Sequence, residues 1–113
     1  MRLFKTFFGC LQSCADLNGK RYPEDDLRSS YCSKCGLVAF YASEHNPGKF
    51  YAYFYPNEPE SEIQNWLHTS MGSLRVDGST FTIATIHSVY EFREDEAAVP
   101  EEDRAVLFLN AFA

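Results

Sequence analysis

Four cysteines, all between positions 10 and 35, are the residues whose type and spacing carry the most chemistry in this chain. They read Cys10-Leu-Gln-Ser-Cys14, then a long loop, then Cys32-Ser-Lys-Cys35-Gly36. Two close pairs separated by a loop suit a tetrahedral Zn²⁺, each pair gripping the ion from one short turn. A closed site of Cys10, Cys14, Cys32 and Cys35 would be structural, with no open position for a substrate. The spacer of the first pair is one residue longer than usual, but a helical turn would place both sulfurs on one face. The expectation is therefore a structural zinc staple. Free buried cysteines, disulfides in an oxidising compartment and a redox-active Cys32/Cys35 pair stay open as alternatives. Such redox pairs usually open a helix, whereas Leu37-Val-Ala-Phe-Tyr41 reads as a strand.

The elements that must position these thiols follow from periodicity. Leu3, Phe4, Phe7, Phe8 and Leu11 recur at helical spacing, which predicts a short helix over 2–15. Residues 16–30 turn polar, with Asn18-Gly19 and Tyr22-Pro23-Glu24-Asp25-Asp26 as turn signals. Leu37–Ser43 and Phe50–Tyr55 flank Asn46-Pro47-Gly48-Lys49, a type II turn signal that predicts a hairpin. In the second strand Phe50, Ala52 and Phe54 alternate with Tyr51, Tyr53 and Tyr55, so the phenylalanine face should meet the core. Residues 60–71 predict an amphipathic helix, with Ile63, Trp66, Leu67 and Met71 on one stripe and Gly72 as its stop. Asp77-Gly78 signals a second hairpin with a type I′ turn. The run from Thr80 to Phe92 reads as one long strand bent near His87-Ser88. The tail 104–113 is ambiguous, with a lean towards helix.

These elements predict a single α+β domain over 1–113. A small antiparallel sheet of about four strands packs on the one amphipathic helix in a body at 37–113, with a Cys-rich lobe at 1–36. The resemblance to zinc ribbons covers Cys32–Gly36 and, loosely, Cys10–Cys14. It implies recognition of a nucleic acid or a protein. The chain has 113 residues, a net charge of −6 and 16% aromatic residues. An acidic chain lacks the basic excess of a phosphate-binding surface, so direct nucleic-acid binding is not expected. No apolar run of signal-peptide or membrane-spanning length follows Lys5, so the expected location is cytoplasmic.

Tyr51, Tyr53 and Tyr55, with Tyr41 as cross-strand neighbour, form the candidate protein interface. The rival reading is that another layer covers these rings. His45, His68 and His87 form no ligand pair, and the acidic runs at 24–26 and 94–96 lack calcium-loop spacing. The expected function is thus a non-enzymatic, acidic, protein-binding module. In size and charge alone it resembles phage-encoded inhibitors, including anti-CRISPR proteins, which implies inhibition of a partner machine that itself binds nucleic acid through basic surfaces. A nucleic-acid mimic filling a basic groove and a small thiol enzyme using Cys32/Cys35 are the alternatives.

Overall fold

Pairing on both sides outweighs helical spacing in the first element, which is a strand. The structure, a computed structural model, describes residues 1–57 and 66–99. Its strands are β1 (Arg2–Asp16), β2 (Cys35–Ala42), β3 (Lys49–Pro56), β4 (Leu67–His68), β5 (Gly72–Asp77), β6 (Thr80–Thr85) and β7 (Ser88–Glu94). Short 3-10 turns lie at Leu27–Tyr31 and Glu96–Ala98. All strand pairs are antiparallel, in the order β2-β1-β7-β6-β5-β3-β4. β2 also pairs with β3, from Gly36 opposite Pro56 to Ala42 opposite Phe50. That pairing closes six strands into a barrel and leaves β4 as a short addition on β3. Closure covers most of the sheet edges that otherwise invite aggregation and leaves one side of β3, beyond its short pairing with β5, for β4.

The α+β expectation is overturned. No long helix lies among the described residues, and the sheet has seven strands where about four were expected. The first expected helix is β1, because its apolar residues can be divided between two faces only by a strand whose register shifts. In the second, Leu67 and His68 pair with Phe54 and Tyr53 as β4, while 60–65 lie outside the described residues, as does the tail 104–113. The barrel offers an open edge of β3 to this stretch, and pairing there satisfies backbone groups that a helix would satisfy internally. Thr69 completes the docking: its N–H donates to the Ala52 carbonyl at 2.9 Å, and its Oγ1 accepts from Ala52 N–H at 3.0 Å.

Both expected hairpins form. Gly48 has a φ of +81°, and Lys49 N–H donates to the Asn46 carbonyl at 3.1 Å, as the Pro-Gly turn requires. The second turn centres on Gly78-Ser79, since Asp77 pairs with Thr80. Positive φ falls on Gly78 at +60° and not on Ser79, so the turn is the II′ kind with glycine first. The long strand expected from Thr80 to Phe92 is β6 and β7, reversed over the Ile86-His87 tip. Thr85 and Ser88 clasp that tip: Ser88 N–H donates to Thr85 Oγ1, and the Thr85 hydroxyl donates to the Ser88 carbonyl, both at 3.1 Å.

The barrel interior is aromatic. Phe40, Phe54, Phe92, Leu11, Ile83 and Val38 are fully buried. Phe40 meets Phe81 at 5.7 Å, Phe92 edge-on at 5.8 Å and Phe7 at 6.0 Å between ring centroids. As expected, Ala52 and Phe54 face this core from β3.

Candidate functional site

Where the thiols go is decided by a bulge. The β1 register shifts between Leu11 and Ser13, so an extra residue reverses which side chains face inward. Before it, Leu11 points into the core opposite Phe92, and Cys10 points outward opposite exposed Arg93. After it, Cys14 points inward opposite Tyr90. Two sulfurs four positions apart thus lie on opposite faces of the sheet and cannot share one ion.

The zinc expectation is overturned on this ground. Cys10 and Cys35 are direct cross-strand partners and form a disulfide. Cys14 and Cys32 remain thiols. No group of three or more His, Cys, Asp or Glu that could hold a metal occurs among the described residues. With it falls the likeness to zinc ribbons. Cys32 and Cys35 are also separated in role, one a thiol and the other bonded to Cys10.

The loop that carries Cys32 is pinned at the end of the barrel. Asp26 caps the 3-10 turn, its Oδ1 accepting from the Arg28 N–H at 2.9 Å. Its carboxylate also takes Arg28 Nε at 2.9 Å and Nη2 at 2.8 Å. The Arg28 hydrogen bonds hold Asp26 down to about 2. Arg28 lies 3.5 Å above the Tyr22 ring and donates to Ser88 Oγ at 3.2 Å. The Tyr22 hydroxyl reaches the same Ser88 oxygen at 2.6 Å and the His87 carbonyl at 3.1 Å. This bracket joins the loop to β7 and reads as architecture, because every one of these groups is satisfied within the chain.

The second feature is on the outer face of β2, β3 and β4. Tyr53 is its centre. His68, its cross-strand partner, stacks on it at 4.3 Å with the rings 9° from parallel. Trp66 stacks at 6.0 Å, Tyr55 at 6.4 Å, and Tyr41 meets Tyr53 edge-on at 5.4 Å. Tyr51 joins through His68 at 6.2 Å. Tyr55 and Trp66 are 41% and 39% exposed. Burial, then the neighbouring Tyr41 and Tyr53, raises the Tyr55 hydroxyl above its ordinary value.

The four tyrosines singled out from sequence thus share one surface. Sequence reasoning missed Trp66 and His68, because it placed them on a helix. The available signal was that Trp66-Leu67-His68 alternates outward, inward, outward, as an aromatic strand does. His45 lies exposed near the first turn and His87 at the tip of the β6–β7 hairpin. Neither joins a metal-ligating cluster among the described residues. Of the acidic runs, Asp26 and Asp95 cap the two 3-10 turns. Nor is any described helix long and apolar enough to cross a membrane. Comparison with protein-family models, curated proteins and solved structures returns no match for this chain.

Proposed function

We propose that this protein is a non-enzymatic binding module that grips a basic protein surface through the aromatic platform centred on Tyr53. One observation carries the reading: Tyr41, Tyr51, Tyr53, Tyr55, Trp66 and His68 form a continuous set of rings on the barrel's outer face, where the core makes no use of them. Tyrosine and tryptophan contribute large contact areas at low entropic cost and recur as interface anchors. Arginine and lysine side chains suit such rings through cation–π contact, and a net charge of −6 steers basic partners towards the molecule. Likeness in size and charge to phage-encoded inhibitors supports a blocking role against a basic partner machine. The Cys10–Cys35 disulfide is unusual for the cytoplasm expected from sequence, where thiols are kept reduced.

The test is a binding titration against a partner captured on the immobilised protein, using Tyr53→Ala, Tyr55→Ala and the pair Glu94→Gln/Glu96→Gln. Asp95 is spared because it caps the second 3-10 turn. Tyr53→Ala should cost about 2 kcal/mol or more in affinity, with little dependence on salt. The charge pair should mainly slow association, an effect that fades as ionic strength rises. Unchanged binding by a folded Tyr53→Ala variant would overturn the assignment of the interface to this platform.

A further inference from the structure

The two remaining thiols are not independent of one another. Leu11 is bonded to the loop on both sides: its N–H donates to the Lys34 carbonyl at 3.1 Å, and its carbonyl accepts from Ser33 N–H at 2.8 Å. Ser33 adopts a left-handed φ of 68° to make this reversal. Cys32, the next residue back, is thereby set beside β1 just past the bulge, where Cys14 turns inward. Cys32 is one of the neighbours that raise the Cys14 thiol, and Cys32 packs against the core cluster that contains Cys14. The arrangement nests one cysteine pair inside the other, Cys14/Cys32 within Cys10/Cys35.

We propose that Cys14 and Cys32 are a redox-modifiable dithiol that closes to a second disulfide on exposure to a low-molecular-weight disulfide such as oxidised glutathione. The step balances as two exchanges. The Cys32 thiolate attacks one glutathione sulfur, forming a mixed disulfide and releasing one glutathione thiol. The Cys14 thiolate then attacks the Cys32 sulfur, forming the Cys14–Cys32 bond and releasing the second. The protein dithiol is oxidised, the small disulfide is reduced, and the two protons leave with the glutathione thiols or to solvent.

The order is dictated by exposure. Cys32 is half-buried and reachable, whereas Cys14 is buried. Burial, with the neighbouring Cys32 adding to it, pushes the Cys14 thiol up to about 12. Cys14 therefore acts only as the resolving thiol, and modification of Cys32 removes the charge that opposes its ionisation. Burial raises Cys32 as well, so closure is slow at neutral pH and accelerates as pH rises. Once formed, the bond staples the loop after the first 3-10 turn to the barrel end, beside the Arg28 bracket.

The experiment treats the full chain, with Cys10–Cys35 intact, with oxidised glutathione, then digests it without reduction using trypsin. Cleavage after Lys5, Lys20, Arg28, Lys34 and Lys49 leaves Cys10 and Cys14 on one peptide and puts Cys32 and Cys35 on two others. The expected product is a three-peptide species in which backbone fragmentation assigns Cys14 to Cys32, with loss of both free thiols and a rise of a few degrees in melting temperature. Cys32→Ser should abolish the three-peptide species and keep Cys14 unmodified. Cys14→Ser should halt the reaction at a stable glutathione adduct on Cys32. A Cys32–Cys35 product, a stable adduct on wild-type Cys32, or two thiols that persist after prolonged exposure at mildly alkaline pH would each overturn the proposal.

Discussion

At the scale of single residues, the charge on Asp26 does more than its place in an acidic run suggests. A carboxylate held at about 2, against an ordinary 3.8, binds protons less readily in the folded than in the unfolded state. Its contribution is therefore fully present above about pH 4 and is lost as pH falls towards 2. Since Asp26 and Arg28 both remain partly exposed, solvent screening reduces the effect, and about 1 kcal/mol is expected. Asp26→Asn keeps an acceptor for the capped turn but removes the charge. It should lower stability by that amount at neutral pH and flatten the acid limb of a urea-denaturation series between pH 4 and 2. An unchanged acid limb would assign Asp26 a capping role only. Tyr53 illustrates the same point for the aromatic platform: its position at the centre depends on β4, which sets His68 across from it.

Among the elements, β1 sets the character of the fold. It pairs with β2 through its first part and with β7 through its second, and bends between them. Gly9 and Gly36 lie opposite one another at this bend. Their side-chain space is taken by neighbouring backbone, the Arg93 carbonyl at Gly9 and the Tyr55 carbonyl at Gly36. Gly36→Ala should therefore force strands β2 and β3 apart at one end, at a cost of about 1–3 kcal/mol, read as a lower urea midpoint. Ala at Gly36 without loss of stability would show that the barrel yields there. The β6–β7 reversal makes a different case. Ile86-His87 has no turn chemistry, and the clasp between Thr85 and Ser88 supplies what glycine or asparagine usually would.

For the whole molecule, closure depends on contacts distant in sequence, above all β1 with β7 and β1 with β2. Such topologies gain their stabilising contacts only after large loops have closed. The Cys10–Cys35 bond spans a separation of 25 residues and holds β1 against β2. Restricting the unfolded chain in this way is worth about 3 kcal/mol for a loop of this size. The double variant Cys10→Ser/Cys35→Ser should lose about that much, with little change in the platform. Chemical denaturation measures the first, and the near-ultraviolet signal of the stacked aromatics the second. A variant as stable as the parent would show that pairing between the strands already supplies what the bond adds.

The local signals for strand and turn were legible along the chain. Alternation of Phe50, Ala52 and Phe54 with tyrosines fixed which side of β3 faces the core, since a strand's side chains alternate whatever surrounds it. Pro47-Gly48 likewise marked its turn, because only glycine adopts that φ without strain. The fate of the cysteines was not legible. Their spacing suits both a metal and a pair of crosslinks, and the bulge between Leu11 and Ser13 that sends Cys10 and Cys14 to opposite faces arises only when β1 pairs with β7. The same holds for the stretch at 66–71, whose apolar stripe suits a helix alone in water. Its Leu67 and His68 are drawn into a strand by the open edge of β3. Local chemistry determines how each segment can turn and alternate; only pairing across the barrel decides which backbone groups find partners, and with them which side chains meet.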